Sequence, residues 1–422
     1  MESDLPDVTA KLNVATDSRL ITAARDGDVC VIADRFALDQ FISEIDPTAP
    51  IAVDAERAQS FRYSSKAYLI QFNQTACGTR LLDPIALANA TGLADLSELN
   101  TALAGCEWVI HAASQDLPCL AEVGLVPQHL FDTELAGRLL GFSKVALSPM
   151  LTHYLGIQLA KAHSADDWSA RPLPESWLTY AALDVDFLLE LRDAVANDLA
   201  IAGKTAWADQ EFANEIARFA TTPDDDPERW RNVKGLGHLR QPRQLGIARN
   251  LWHVRDDLAQ RLDVFPGRIL PDAALVEAAA NLSHLTPQQV SSTINTLTGF
   301  TGPLAKRQRR AWAGAVITAL NADASQLPRR QRSQGTPPPR VWAHINKSAA
   351  RRWEKARPAV IALAEEYGLP PENLMTVATL ADIVWPDDLD ISESGLRLAM
   401  AQANVRPWQQ DLAAPVLVTA LA

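Results

Sequence analysis

Two carboxylates lie two residues apart at the end of an apolar run, "PIAVDAE", residues 50–56. Successive side chains of a β-strand alternate between its faces, so Asp54 and Glu56 are expected to point the same way. Two like charges buried together raise each other's pKa and cost free energy unless they share a cation. Carboxylate oxygens are ligands that suit Mg²⁺ and Mn²⁺. The pair therefore indicates a candidate site for a divalent metal ion.

The Asp-x-Glu pattern alone is weak evidence, because it occurs four times, at 54/56, 132/134, 209/211 and 226/228. Only the first pair lies in an apolar, strand-like run. Asp132 opens a helical pattern, where its side chain could cap the helix, and the last two pairs lie near or in an expected linker. Context therefore favours Asp54 and Glu56 as the functional pair.

Two further stretches carry acids at positions that could join this pair. "HAASQDL" places Asp116 at the start of an expected helix, where capping is the simpler interpretation. His111 in the same stretch is more typical of a hydrogen-bonded strand-end histidine than of a ligand. "YAALDVDFLL" places Tyr180 and Asp184 on one helix face, where a hydrogen bond between them could merely hold the helix. The three stretches together are much rarer than any one of them.

The elements that must position these residues predict an α/β domain. Short apolar runs separated by turn signals and amphipathic stretches favour strands at 28–33, 50–56, 67–72, 79–84 and 107–113. A helix is predicted over 176–199, where apolar residues recur at helical spacing. We expect this domain to occupy residues 1–205.

The strand signal ends after this domain, and the remaining pattern is almost entirely helical. We predict a linker at 206–228, a helical domain at 229–325, a Pro- and Arg-rich linker at 326–340 and a second helical domain at 341–422. The later linker is too rich in Pro, Gly and Arg to pack, and its basic side chains could contact phosphates or simply keep it solvated.

Charge is distributed unevenly along the chain. Residues 1–220 hold 15 Lys and Arg against 31 Asp and Glu, a net of −16, whereas residues 221–422 hold 24 against 20, a net of +4. The second half is thus the better candidate for a phosphate-facing surface, although solvation alone would explain both values.

Length and composition are those of a soluble globular protein, with 422 residues, 47% of them hydrophobic. No apolar stretch reaches the roughly 20 residues that span a bilayer, and the N-terminal segment has no signal-peptide pattern. Four cysteines are scattered without a CxxC pair, which favours reduced thiols and no zinc site. We expect a cytoplasmic protein without a membrane partner.

At this point the chain resembles the ribonuclease D family, within the DEDD superfamily of 3′–5′ exonucleases. "VDAE", "HAASQDL" and "YAALDV" match the three exonuclease motifs, and "YLIQF", "LLDP", "LFDTELAGRLL" and "LAKAHSADDWSARPLP" are also similar. The histidine subclass has its extra residue five positions before the last Asp. That position is Thr179 here, so Tyr180 assigns the chain to the tyrosine subclass, DEDDy.

The resemblance implies an RNase H-like (DnaQ-like) exonuclease domain with a mixed central sheet, followed by all-α domains. Residues 230–325 are similar to the helicase-and-RNase-D C-terminal (HRDC) domain through "LWHVRDDLAQRLDVFPGRILPDAALVEAA". The final segment, with "VWPDDL" and "VRPWQQDL", resembles the second, more divergent helical domain of ribonuclease D relatives.

The resemblance also implies hydrolysis of phosphodiester bonds with two divalent metal ions, Mg²⁺ or Mn²⁺, about 4 Å apart. Asp54 would bridge both ions, Glu56 and Asp184 would complete the site of the ion that activates water, and Asp116 would hold the second ion. Tyr180 has an ordinary pKa near 10, so it would orient the attacking water rather than act as a general base.

Four further residues are weaker candidates for substrate binding, in the loop before the last helix of the domain and in the second motif. Terminal-nucleotide binding or, for Trp168, simple packing would account for those in the loop. The four candidates are His111, Lys161, Trp168 and Arg171.

The resemblance implies a 3′–5′ exoribonuclease that acts on RNA with a free 3′ end and trims structured RNA such as tRNA precursors. We expect a monomer. Two alternatives remain open: a 3′–5′ DNA exonuclease, because a preference for the 2′-OH cannot be deduced from the sequence, and a catalytically silent RNA-binding module. The intact set of acids and tyrosine argues against the silent module.

Overall fold

The computed structural model describes residues 18–27, 29–90, 92–160, 163, 165–219, 226–330 and 335–422. Its strands are β1 (Arg19–Ile21), β2 (Cys30–Ile32), β3 (Ile51–Arg57), β4 (Ala67–Gln74), β5 (Gly78–Leu82), β6 (Glu107–Ile110), β7 (His129–Asp132) and β8 (Ile157–Leu159). Within the described residues, no helix combines the length and the apolar character that crossing a membrane requires.

The helices of the N-terminal part alternate with these strands and then follow them. They are α1 (Arg35–Glu44), α2 (Ser97–Ala102), α3 (Leu117–Ala121), α4 (Thr133–Leu139), α5 (Leu147–Leu155), α6 (Glu175–Asp186), α7 (Leu188–Ile201) and α8 (Thr205–Phe219).

The rest of the described chain is helical, as predicted. Its α-helices are α9 (Pro242–Leu262), α10 (Pro266–Ile269), α11 (Asp272–Leu282), α12 (Pro287–Ile294), α13 (Pro303–Arg307), α14 (Arg309–Asn321), α15 (Trp342–Ile345), α16 (Lys347–Glu366), α17 (Pro371–Leu374), α18 (Val377–Val384), α19 (Glu393–Gln402) and α20 (Pro407–Leu421).

The central sheet has six strands in the order β2-β5-β4-β3-β6-β7. β4 runs antiparallel to both of its neighbours, β3 and β5, whereas the other neighbouring pairs are parallel. The predicted mixed sheet is therefore confirmed. β3 lies inside this sheet, and its residues Ile51, Ala52 and Val53 are fully buried. A strand that is covered on both faces needs such a continuous apolar run.

The five predicted strands of this domain are confirmed within a few residues, but the sequence interpretation missed others. β7 has four residues and adds to the sheet beside β6, and β1 pairs with β8 in a separate two-stranded sheet. Strands of three or four residues are too short to show a clear period of two. The predicted helix over 176–199 is two helices, which meet at Phe187, where the backbone departs from helical geometry.

The prediction that residues 206–228 form a linker is wrong for most of its length. Thr205–Phe219 is a 15-residue helix, and its buried Phe212 packs on Phe131 of β7 with ring centroids 5.0 Å apart. The apolar face of α8 needs the sheet and the C-terminal helices to cover it, and this partner is not visible in a local sequence window.

The C-terminal helical segment packs directly on the exonuclease domain, and their buried side chains form one continuous hydrophobic cluster. The indole rings of Trp207 and Trp408 stack with centroids 4.7 Å apart. Buried Lys204 donates hydrogen bonds from Nζ to the carbonyl oxygens of Leu139 and Tyr367, at 2.7 and 2.8 Å. These contacts tie the C-terminal segment to α4 and to the start of α8.

The helical domain formed by α9 to α14 instead has a hydrophobic core of its own. It meets the exonuclease domain mainly through the loop between β3 and β4. Asp263, just after α9, accepts backbone hydrogen bonds from Tyr63 and Ser64 at 3.2 and 2.9 Å. The loop that follows Asp54 and Glu56 in sequence is therefore held by the helical domain.

Candidate active site

Asp54 and Glu56 lie on β3 at the centre of the sheet. Their side chains share one face of the strand because they are two residues apart. Asp54 is directly opposite Gln71 of antiparallel β4, so these two side chains also share a face. The apolar neighbours of both carboxylates in the sheet are fully buried and hold the two side chains in place.

Asp184 and Tyr180 come from α6, which packs across β3, β4 and β5. Ala181 and Ala182 on this helix are fully buried, and their small side chains let the helix approach the sheet closely. Oxygen atoms of Asp54, Glu56 and Asp184 consequently lie within 4.8 Å of one another. Three carboxylates at this separation fit the oxygen-rich coordination of a hard divalent cation.

Asp116 reaches the cluster from the end of β6. The chain leaves β6, makes a short 3₁₀ turn at Ala113–Gln115, and begins α3 immediately after Asp116. Asp116 occupies the N-cap position, but its side chain makes no capping hydrogen bond. Instead the carboxyl group lies against Asp54, is 5% exposed, and forms a 3.8 Å ion pair with Arg57.

A second acid fixes the turn that carries Asp116. Asp132 caps α4 by accepting from the backbone N–H groups of Glu134 and Leu135, and it also accepts from those of Ala112 and Ala113, at 2.8 to 3.2 Å. The suggested capping role of Asp132 is confirmed. Its further bonds to the 112–113 backbone hold the turn before Asp116 against α4.

The carboxylates of the cluster are electrostatically strained. Burial, with neighbouring carboxylates, raises the pKa of Asp116 and of Asp184 well above the ordinary value. Burial also raises the pKa of Asp54, and burial with the charges of Asp54, Asp184 and Asp116 raises that of Glu56 to about 10. The charge of Arg57 opposes the shifts of Asp54, Glu56 and Asp116 only in part. Divalent cations would supply the missing positive charge.

The amide side chain of Gln71 gives independent support for a polar occupant. Gln71 is fully buried on the face that carries Asp54, and neither of its amide atoms has a hydrogen-bond partner among the described residues. A buried amide without partners costs free energy. Hydrated metal ions at the acidic cluster are a partner of the right chemistry, so the donor set fits them.

Tyr180 lies beside the carboxylates as a neutral phenol. Burial and then the charges of Asp184, Glu56 and Asp54 raise the pKa of Tyr180 above its ordinary value. Proton removal is thereby disfavoured. Tyr180 is suited to donating a hydrogen bond and not to accepting a proton as a base.

The prediction that Trp168 binds a terminal nucleotide is wrong, and the packing alternative accounts for it. Trp168 is fully buried, packs 5.2 Å from Trp177 and 6.4 Å from Tyr180 between ring centroids, and donates from Nε1 to the His163 carbonyl. Its indole ring packs against α6 and supports the ring of Tyr180.

Arg171 is likewise committed to structure rather than to substrate. Its Nε and one terminal nitrogen form a bidentate pair with Asp83, both at 2.8 Å, and its remaining bonds go to the carbonyl oxygens of Tyr68, Trp168 and Ala170. These bonds occupy the donors of the guanidinium, so the prediction of a substrate contact for Arg171 is contradicted.

The other two candidates give no support for substrate binding. His111 Nδ1 lies 2.8 Å from Thr133 Oγ1, and burial lowers the pKa of His111 to about 4, which keeps the ring neutral. This matches the strand-end role that we considered simpler. Lys161 lies outside the described residues.

Sequence reasoning missed Arg57, the cation of this cluster. Strict alternation places it on the face opposite to Glu56, but the pairing of β3 with β4 shifts between Glu56 and Arg57. A shift of this kind twists the strand and re-aims side chains. The position directly after "VDAE" was the only available signal.

Comparison with protein families supports this architecture in three separate segments. Residues 29–200 match the family model described as 3'-5' exonuclease. Residues 244–289 match the HRDC domain, and residues 335–421 match the 3' to 5' exonuclease C-terminal domain.

The curated relatives of this chain include proteins named ribonuclease D. That of Granulibacter bethesdensis is 28% identical over 339 residues, which cover 79% of this chain and 81% of the relative. That of Acidiphilium cryptum is 29% identical and covers 73% and 75% of the two chains.

Solved structures match over nearly the whole chain. A protein from Bifidobacterium adolescentis is 32% identical, with a TM-score of 0.84 over 96% of this chain and 99% of its own. The exoribonuclease RNase D of Escherichia coli is 22% identical, with a TM-score of 0.66 over 93% and 98%. At that identity the second match shows a common fold.

Proposed function

Because the chain belongs to the ribonuclease D family of 3′–5′ exonucleases, we propose that it hydrolyses RNA stepwise from a free 3′ end with two divalent metal ions. The observation that carries the proposal is that three carboxylates from β3 and α6 converge beside a neutral tyrosine, with Asp116 joining them from the turn after β6. Each of these residues lies in one of the three motifs that suggested the family.

The acids divide into the roles that two ions require. Asp54, at the centre of the cluster, would be shared by both ions, Glu56 and Asp184 would complete the first site, and Asp116 would complete the second. When bound, Mg²⁺ or Mn²⁺ ions supply the positive charge that stabilises the transition state of an in-line displacement at phosphorus. That the protein acts as a monomer stays a prediction.

Tyr180 acts as a hydrogen-bond donor and keeps its proton during the reaction. With its pKa raised by burial and by the neighbouring acids, the phenol stays neutral and donates a hydrogen bond to orient the attacking water. The fully buried Trp168 packs against Trp177 and Tyr180 and fixes the helix face that presents the phenol. Removing the hydroxyl should therefore impair orientation, while metal binding should persist.

The helical domain extends the substrate surface. Lys306, Arg307, Arg309 and Arg310 are exposed at α13 and α14, in the half of the chain with a net charge of +4. Such side chains contact phosphates without reading the sequence and make binding sensitive to salt. This charge supports a structured RNA substrate, such as a tRNA precursor, that spans both domains. Location in the cytoplasm stays a prediction.

Degradation of matched oligonucleotides tests the proposal. The wild type is incubated with Mg²⁺, Mn²⁺ or EDTA and with 3′-free RNA, 3′-blocked RNA and 3′-free DNA of the same sequence. We expect stepwise shortening of 3′-free RNA with either metal, and little shortening of the other two substrates. Asp54→Asn should be inactive, and Asp209→Asn, which alters the exposed aspartate of the Asp-x-Glu pair on α8, should be fully active.

The other outcomes identify the alternatives. Equal or faster shortening of DNA would assign a DNA exonuclease. Binding of RNA without shortening under every metal condition would assign a silent module. Activity that survives Asp54→Asn would place the chemistry elsewhere and overturn the site.

A further inference from the structure

We propose that Arg57 is a catalytic residue whose guanidinium binds a non-bridging oxygen of the scissile phosphate once the metal ions are in place. The inference rests on the proposed function, because it needs a phosphodiester at the acidic cluster. It goes further by assigning the substrate-phosphate contact to one residue, which the four metal ligands and Tyr180 do not supply.

The position of Arg57 places it at the reacting bond. It directly follows Glu56 on β3 and ends the strand at the pairing shift. Its terminal nitrogen lies 3.8 Å from Asp116 Oδ1, and its side chain is 19% exposed. The guanidinium therefore lies beside the carboxylate cluster and is partly accessible to solvent, so an arriving polyanion could reach it.

Within the part of the chain that the structure describes, the N–H donors of Arg57 have no hydrogen-bond acceptor. An arginine offers five N–H donors, and Arg57 makes no hydrogen bond among the described residues; its one described partner is the long ion pair with Asp116. Arg171 differs in this respect, because its N–H groups donate to Asp83 and to three carbonyl oxygens. A planar fork with free donors is suited to phosphate oxygens.

The formal charges favour the same assignment. Four carboxylates are balanced by two divalent ions, so the loaded site without Arg57 would be neutral before a phosphodiester enters. Arg57 adds one positive charge, and the scissile phosphate brings one negative charge. The loaded site with Arg57 therefore attracts its substrate and becomes neutral when the substrate is bound.

A simpler role must be distinguished, in which Arg57 only compensates the acids of the metal-free protein. That role predicts that removing Arg57 strengthens metal binding and lowers the stability of the metal-free fold, with little effect on the reaction at saturating metal. If Arg57 binds the scissile phosphate, the loss of activity on removing Arg57 should persist at saturating metal. That loss should also depend on the charge of the substrate linkage.

The experiment compares wild type, Arg57→Gln, Arg57→Lys and the control Arg35→Gln, whose guanidinium is exposed and pairs with acids on the outer surface. RNA cleavage is measured at saturating Mn²⁺, metal binding by calorimetry, and folding by thermal unfolding. A second RNA carries an uncharged methylphosphonate at the scissile linkage. Equilibrium binding of 3′-free RNA in Ca²⁺, which takes similar oxygen ligands, gives a readout that needs no turnover.

We expect Arg57→Gln to lower kcat/KM about 10- to 100-fold, the range for losing a charge-assisted hydrogen bond. Mn²⁺ should bind Arg57→Gln at least as tightly as wild type, because the substitution removes a positive charge beside the acids, and RNA binding in Ca²⁺ should still weaken. Arg57→Lys should recover part of the loss. The methylphosphonate should impair wild type more than Arg57→Gln, since the two changes remove the same contact.

Three results would overturn the assignment. They are a kcat/KM for Arg57→Gln within twofold of wild type, an equal effect of the methylphosphonate on both proteins, and a loss of activity that tracks a change in Mn²⁺ affinity. If wild type binds RNA in Ca²⁺ but never shortens it, the exonuclease proposal fails, and unchanged binding by Arg57→Gln would then refute the phosphate contact separately. If wild type does not bind RNA at all, both proposals fail.

Discussion

The exonuclease domain contains two kinds of acid around its central sheet. Asp132, Asp83 and Asp186 each have dedicated donors: four backbone N–H groups for Asp132, Arg171 and two backbone N–H groups for Asp83, and Thr79 and the Arg25 backbone for Asp186. The acids of the candidate active site instead face one another and share Arg57.

The difference separates acids that stabilise the fold from acids that destabilise it. An acid whose lone pairs are satisfied fixes local structure, and its removal leaves donors unpaired. An acid that faces other acids costs free energy in the metal-free fold and is retained for what it binds. The comparison therefore predicts opposite effects of mutation on activity and stability.

The largest effect is expected from Asp54→Asn. Cleavage of 3′-free RNA should fall by at least about 10³-fold, because the charge stabilisation by a metal ion is worth several kcal/mol. Removing one of the clustered charges should leave the metal-free fold as stable as wild type or more so. Cleavage rates and urea unfolding in EDTA check both halves, and a less stable Asp54→Asn protein would contradict the comparison.

Asp132→Ala should produce the next largest effect, on stability. It leaves four backbone N–H groups without their acceptor, so the free energy of unfolding should fall by at least about 3 kcal/mol. Urea unfolding measures the change, with Asp209→Ala as an exposed control expected within about 0.5 kcal/mol of wild type. A loss as small as that of the control would mean that the capping acid is dispensable.

Metal addition should then divide the two classes. Mn²⁺ at 100 times its dissociation constant should stabilise wild type by about 2.7 kcal/mol through mass action. Asp132→Ala should keep most of that increment although its baseline is lower, whereas Asp54→Asn should lose most of it. Thermal unfolding with Mn²⁺ and with EDTA provides the measurement; an equal increment in Asp54→Asn would place the metal elsewhere.

The smallest effect is expected in the pH dependence of metal-free stability. The pKa of Glu56 is raised from 4.5 to about 10, so the folded state holds a proton that the unfolded state releases across that window. Stability should therefore fall as pH rises. The pKa of Asp132 is raised from 3.8 to about 6. Its contribution to the pH dependence of stability should therefore end near pH 6.

Glu56→Gln tests this contrast. Unfolding in EDTA between about pH 7 and pH 9 should depend less steeply on pH in Glu56→Gln than in wild type. Asp132→Asn should keep the slope of wild type in that range. Identical slopes for wild type and Glu56→Gln would show that the raised pKa of Glu56 does not control stability there.

Local sequence was sufficient where the signal is local. The strand at 51–57, the helical face of Tyr180 and Asp184, and the cap at Asp132 follow from alternation, helical spacing and capping preference. It failed at α8, because the partners that bury Phe212 and stack on Trp207 come from β7 and from the C-terminal helices.

The roles of the arginines and of Trp168 were decided only by the tertiary structure. Trp168 and Arg171 were candidates for substrate binding on the strength of their residue types, yet one is buried behind α6 and the other is fully paired with Asp83 and carbonyl groups. No sequence pattern indicated a role for Arg57, which lies at the acidic cluster.

The sequence by itself determined five strands of the central sheet, the order of the three motifs and the acids that they carry, because alternation and helical periodicity act between neighbours in the chain. Only the tertiary structure decided which side chains remain free to meet a ligand. That property depends on whether donors and acceptors distant in sequence satisfy a group, as they do for Arg171 and, among the residues that the structure describes, do not for Arg57.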